Sequence, residues 1–307
     1  MTDAPAARPA EGASEPALWL TLVMGVGFAL IWSSAFSVGK ILVETLPPFT
    51  VSAVRFAAAA LIAGGLALAL GQRLPRGGAV WRAILVLGLC QNAVYLGGMF
   101  NAMTLLPAGL AAILASAMPL VVAALAAALL GERVGRGRAA GLALGFAGVI
   151  WIMGARVAGG VAPEGVAIAL LAVMGLAVAT LTVKRGGFGT GLLMVVAAQM
   201  AVGAAGCAAL ALALEPLALP AAATLTPALG AAFAYAVLVP GVAATLLWFA
   251  LVERVSAAGA ASFHFLNPAF GVGFAWALVG EPVGLADAAG AACVGLGILI
   301  VNRSRAG

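Results

Sequence analysis

Long apolar runs separated by short polar breaks set the pattern of this chain from residue 18 to residue 302. The runs fall at Leu18–Val38, Pro48–Leu70, Ala83–Met103, Pro107–Leu130, Ala139–Ala155, Gly165–Val183, Gly191–Leu214, Ala228–Leu251, Ala258–Val279 and Leu285–Asn302. Each approaches the ~20 residues that a helix needs to cross a bilayer. The breaks between them hold most of the Arg, Lys and Glu. Ten membrane-spanning helices are therefore predicted. Small residues follow the apolar core of the first run, as in a cleaved leader, but the flanking segment offers only Arg8 as a basic residue. The run is kept as the first span.

The pattern is written twice. Sliding the chain by 149 positions puts Pro119 on Pro268, Gly131-Glu132 on Gly280-Glu281, and Val134 on Val283. Ala139-Ala140-Gly141 falls on Ala288-Ala289-Gly290, and Gly148 on Gly297. Each copy reads as an apolar helix with a central proline, a Gly-Glu turn and a second apolar helix. Two successive units of five helices must lie in the membrane with opposite orientation, so the repeats are inverted. The fold class is an all-α polytopic membrane protein with ten transmembrane helices in two inverted five-helix repeats. The expected organisation is a disordered tail over 1–17, a first repeat over 18–157 and a second over 163–305.

Composition agrees: 64% of the 307 residues are hydrophobic and 8% charged, far from a soluble domain. Cys90, Cys207 and Cys293 all lie in apolar runs and read as small hydrophobes, with no metal site or disulfide framework. Charge supplies the orientation. With the N-terminus in the cytoplasm, Arg8, Arg73, Arg76, Arg82, Arg133, Arg136, Arg138, Lys184, Arg185, Arg254, Arg303 and Arg305 all fall inside. Lys40 and Arg156 fall outside, and Arg55 lies within a span. This follows the positive-inside rule for ten spans with both ends cytoplasmic. It also accounts for the net charge of +5 without a nucleic-acid partner.

Several short motifs resemble a known superfamily. Ile31-Trp32-Ser33-Ser34-Ala35-Phe36 is followed by Lys40, and Arg55-Phe56 opens the second span. Pro119 precedes Leu130-Gly131-Glu132-Arg133, and Asn267-Pro268 precedes Val279-Gly280-Glu281-Pro282. These residues resemble the drug/metabolite transporter superfamily, in particular its ten-helix EamA-type exporters, over essentially all ten spans. Aromatic amino acid exporters are the preferred relatives within it. The resemblance implies an inner-membrane carrier. The second half departs from the pattern, because Leu176 stands where the first half has Trp32, on the offset that aligns Lys40 with Lys184.

Polar groups and broken helices at mid-membrane are tolerated where protein or a watery cavity satisfies them. Inverted-repeat transporters place their sites near the midplane between repeats. Gln91 and Asn92 sit at the centre of the third span, with Tyr95 and Met99 on the same face. The offset of 149 maps Gln91-Asn92 onto Pro240-Gly241 in the eighth span. Pro119 and Pro268 lie centrally in the fourth and ninth, freeing carbonyls near Ala115 and His264. His264 and Asn267 add polar groups there, with Ser262 nearby, and Trp32, Trp248 and Phe263 add aromatic walls. The expected substrate-binding set is therefore Trp32, Gln91, Asn92, Tyr95, Met99, Pro119, Pro240, Trp248, Phe263, His264, Asn267 and Pro268. Arg55 reads first as a structural cation, snorkelling to the surface or paired with Glu44, and second as an anchor for a substrate carboxylate. Glu132 and Glu281 read as carboxylates at the head of the following helix.

No Asp or Glu lies in the middle of a span, so proton coupling would have to run through His264 or a flanking carboxylate. The expected function is export of small amphiphilic metabolites, amino acids foremost and aromatic ones among them, by rocking of the two halves. A carrier for a nucleotide sugar or another metabolite, a passive channel, and an intramembrane enzyme built on His264 with Ser33, Ser116 or Ser262 are the rivals. No cofactor and no metal are expected. The expected partners are a small-molecule substrate and the lipid bilayer, and a monomer holds all ten spans.

Overall fold

The computed structural model of the protein describes residues 15–130, 135–183, 191–216 and 225–303. The first fourteen residues, the Gly131-Glu132 turn with Arg133, the Lys184-Arg185 pair and Arg305 lie outside the described residues. Every regular element within them is helical. Helix α1 is Glu15–Val43, α2 Pro48–Ala69 and α3 Gly78–Ala102. Helix α4 comes in two pieces, Ala108–Ser116 and Met118–Leu130. Helix α5 is Arg136–Ala158, α6 Pro163–Val183 and α7 Leu192–Leu214. Helix α8 crosses from Pro227 to Leu251, α9 is Phe263–Val279 and α10 Leu285–Arg303. The first eight are long and apolar enough to cross a bilayer, and α9 and α10 are shorter apolar helices.

One boundary differs from the sequence expectation. The ninth span was expected from Ala258, but helical backbone continues from Ala244 to Ser262, and Phe263–Leu266 then winds as a tight 3-10 turn. The chain has folded back by that point. The rings of Trp248 and His264 stand 5.4 Å apart, whereas sixteen residues of straight helix would span about 24 Å.

The helices are apolar all round because lipid and protein neighbours are equally apolar. Leu61, Leu68, Ile150, Trp151, Leu171 and Trp276 are large and exposed, which makes them the surface that faces lipid. Inside, small residues let backbones approach. In α5 and α10, Gly141 lies against the Gly297 carbonyl and Gly148 against the Gly290 carbonyl. The offset of 149 turns Gly141 into Gly290 and Gly148 into Gly297, so it exchanges these two contacts. That is what a twofold relation between the repeats requires.

The other pairs obey the same relation. Helix α2 lies along α7, and α4 packs on α9. Helix α3 packs on α6 and α7, while its counterpart α8 packs on α1 and α2. Helices α2 and α7 run antiparallel, as their end contacts show. The Glu215 carboxylate, just past α7, accepts from the Phe49 and Thr50 amides that open α2. Gln72, just past α2, accepts from the Met194 amide that opens α7. Thr50 and Met194 are themselves related by the offset of 144 that relates Lys40 to Lys184.

Glu281 repeats the device. Past the end of α9, its carboxylate accepts from the Ala108 and Gly109 amides at the start of α4. Helix N-termini leave amides unpaired and carry partial positive charge, so a carboxylate there stabilises both. This corrects the expectation that Glu281 serves the helix that follows it. Helix α10 is served by Asp287, which accepts from the Gly284 amide at 2.9 Å. The caps therefore tie one repeat to the other at both faces of the bundle.

Candidate substrate cavity

Two of the helices that line the central cavity are irregular. Leu87–Gly97 of α3 and Val237–Ala243 of α8 are wound as π-helix, the wide turn often found at functional sites. These two segments contain the equivalent pairs Gln91-Asn92 and Pro240-Gly241. In α8 the cause is Pro240, which lacks an amide and crowds the carbonyl four residues back. In α3 no proline is present. Two glycines instead bring this stretch close to α7, Gly88 against Val202 and Gly97 against the Cys207 sulfur. Asn92 completes the seam, donating from Nδ2 to the Gln199 carbonyl at 3.0 Å.

Between these segments lies a cavity of about 30 Å³. Trp32, Gln91, Asn92, Met99 and Pro240 line it, five of the residues expected at the site. Ala35 and Phe36 follow Trp32 on the α1 wall, Thr245 extends the α8 wall, and Met200 comes from α7. The α1 motif is now legible residue by residue. Trp32 faces the cavity, Ser33 Oγ donates to the Asn267 carbonyl of α9 at 3.4 Å, and Ser34 Oγ shares a 2.7 Å hydrogen bond with the Tyr235 hydroxyl of α8. The serines fix α1 to two helices of the other repeat, and the tryptophan uses that fixed position.

A second group of the expected residues stands one layer behind Trp32. His264 packs edge-on to Phe28 and Trp32, with centroids at 5.4 and 6.4 Å, and lies 5.4 Å from Trp248. Its Nδ1 pairs with Asn267 Nδ2 at 2.8 Å. Phe263 covers Gly25 of α1, where an added Cβ would meet its ring at 2.3 Å. The remaining three, Tyr95, Pro119 and Pro268, are buried in the packing; Tyr95 is fully enclosed in the main apolar core. Helix α4 does break just before Pro119, where the Ala117 amide tightens onto the Leu114 carbonyl.

Arg55, whose second reading was an anchor for a substrate carboxylate, lines the cavity together with Phe56 and Phe100, which were not expected there. The guanidinium is held between the two rings, its Cζ 4.4 Å from each centroid. The expected pairing with Glu44 does not form, because Glu44 faces Lys40 at 3.8 Å. The signal available in the sequence was only a cation early in a span.

A wide hollow of about 510 Å³ opens on the face where α1 ends, between Lys40, Glu44, Pro107, Gly160 and Glu281. Lys40 Nζ donates to the Met103 carbonyl at 2.9 Å. Lys40 borders the hollow and Met103 the central cavity, so this contact links the two linings. Of the serines weighed as nucleophiles, Ser33 is committed to Asn267 and Ser116 Oγ to the Ala112 carbonyl at 2.6 Å. Neither hydrogen-bonds to His264, and the Ser262 side chain lies outside the described residues.

The sequence profile of the EamA-like transporter family matches this chain twice, over residues 19–154 and 163–303. A chloroplastic WAT1-related protein of Arabidopsis thaliana is 33% identical over 132 residues, a match that covers 43% of this chain and 31% of that protein. One crystal structure superposes with a TM-score of 0.65 at 22% identity, covering 92% of this chain and 96% of that one. At that identity the likeness is one of fold.

Proposed function

This chain belongs to the EamA-like transporter family, and from that premise we propose that it exports small amphiphilic metabolites, amino acids with apolar or aromatic side chains foremost. Membership makes it a multi-pass membrane transporter of small molecules. The narrower reading rests on one observation, the composition of the central cavity. Its walls are aromatic and aliphatic, from Trp32, Phe36, Phe56, Leu96, Met99 and Phe100, and its polar groups are few, Arg55, Gln91, Asn92 and Thr245. Such a lining suits an apolar side chain with one small charged or polar head. A sugar or a phosphate would call for more hydroxyls or more cations.

Alternating access between the halves supplies the movement. A volume of 30 Å³ takes about one water molecule and no amino acid, so the walls must part for a substrate to enter. The wide turns in α3 and α8 and the break in α4 are the places where helices bend at least cost. The protein works in this reading as a monomer in the inner membrane with both termini in the cytoplasm.

The test is counterflow in proteoliposomes. Vesicles loaded with unlabelled phenylalanine or leucine should accumulate the labelled amino acid transiently above equilibrium, which a carrier does and a channel cannot. Equilibration without an overshoot, for every amino acid tried, would overturn the reading.

A further inference from the structure

Arg55 is 3% exposed, lies on the wall of the cavity, and has an empty hydrogen-bonding edge. Its Nε and Nη2 atoms are buried with no partner. These two atoms carry parallel N–H bonds, the side of the guanidinium that matches the two oxygens of a carboxylate. The chain shows the same edge in use elsewhere. Arg156 donates from Nε to Asp287 Oδ1 at 2.8 Å and from Nη2 to Asp287 Oδ2 at 2.6 Å. At Arg55 the same fork is formed, and no carboxylate among the described residues meets it.

The surroundings keep it that way. No ion pair to Arg55 is present among the described residues. The faces of the guanidinium are covered by Phe56 and Phe100, which attract a cation through the ring without using its N–H groups. A charged group buried in a membrane protein without a counter-ion is costly, and such groups mark ligand pathways. Its counterpart in the other repeat, Gln199, is buried but neutral, so the cavity holds one cationic fork and not a symmetric pair.

We propose that Arg55 is the anchor for a carboxylate of the transported molecule, held on the Nε and Nη2 edge while the aromatic and aliphatic walls take the apolar remainder. The proposal rests on the cavity being the transport site and adds the substrate class: monocarboxylates, amino acids included, are accepted, and their amides are rejected.

Matched acid and amide pairs test it: phenylalanine with phenylalaninamide, leucine with leucinamide, and 3-phenylpropanoate with 3-phenylpropanamide. Each is titrated against the full-length protein in detergent, with the rise in melting temperature as readout. In at least one pair the acid should stabilise the wild type and the amide should not. Arg55→Gln should weaken the acid about tenfold or more and erase the preference. Arg55→Lys, which keeps the charge without the fork, should fall between. If Arg55→Gln does not fold, Arg55→Lys and the wild-type preference carry the decision. A wild type stabilised equally by acid and amide, or by no acid at all, overturns the proposal, as does an Arg55→Gln protein that still prefers acids. Acid-specific, Arg55-dependent binding without counterflow would sink the transport reading and leave the anchor standing. Counterflow with no acid preference would do the reverse.

Discussion

Gly297 of α10 lies against the backbone of Gly145 in α5, so close that a Cβ on Gly297 would stand 2.6 Å from the Gly145 Cα. The neighbour is backbone, which cannot swing aside. Gly297→Ala should therefore force the two helices apart and destabilise the protein by about 1–3 kcal/mol. Gly154, also in α5, has nothing within 4 Å of its added Cβ, and Gly154→Ala should be neutral or slightly stabilising. Thermal unfolding of both variants in the same detergent checks the contrast. Equal melting temperatures would show that the α5–α10 seam is looser than described.

At the other end of that seam, Arg156 grips Asp287, whose side chain is 5% exposed against 24% for the arginine. Removing one partner strands the other, so Arg156→Ala should cost about 1–3 kcal/mol, less than a fully buried pair because water reaches the arginine side. The double variant Arg156→Ala with Asp287→Ala should recover part of the loss, since no charge is then left unpaired. Chemical denaturation of the two singles and the double gives the coupling. A double variant no more stable than the sum of the singles would deny it.

Tyr95 and Gln91 separate packing from transport. Tyr95 is fully buried, so Tyr95→Ala should cost about 3–5 kcal/mol by leaving a hole, whereas Tyr95→Phe keeps the ring and should cost under about 1 kcal/mol. Gln91 is half-buried on the cavity wall. Gln91→Ala should change stability by no more than about 0.5 kcal/mol while lowering transport per folded molecule. A stable Tyr95→Ala, or a Gln91→Ala that transports as the wild type, would put the cavity wall elsewhere on α3.

These contrasts mark where the sequence was legible. Apolar runs of membrane length located the ten helices, and the offset of 149 found the twofold exchange of Gly141 with Gly290 and Gly148 with Gly297. Gln91-Asn92 and Pro240-Gly241 were visible as disturbed midpoints because polar groups and proline stand out in an apolar run. What could not be read was rotation about each helix axis. A soluble helix betrays its buried face by polarity, but here lipid and protein interior look alike. His264 and Asn267 therefore read as cavity residues, although they stand behind Trp32, and Arg55 read first as a structural cation and only second as a cavity anchor, although it faces the cavity. The trans caps made by Glu215, Gln72 and Glu281 were also hidden, because each acts on a helix distant in sequence.

The charge pattern carries a topological expectation. In a background with Cys90, Cys207 and Cys293 replaced by Ala, Arg73→Cys should react with a membrane-impermeant thiol reagent only from the cytoplasmic side. Glu164→Cys should react only from the opposite side. Arg73, in the loop after α2, and Glu164, at the start of α6, are both exposed. Labelling of both from one side would contradict the inverted placement of the repeats.

The central claim is that substrate passes through the cavity between the repeats, and Gln91→Cys in the same cysteine-free background tests it most directly. Counterflow of labelled phenylalanine or leucine is measured before and after treatment with a small membrane-permeant thiol reagent, with and without excess unlabelled substrate. The account expects modification to abolish counterflow and excess substrate to slow it. Full counterflow after complete modification of residue 91 would contradict it.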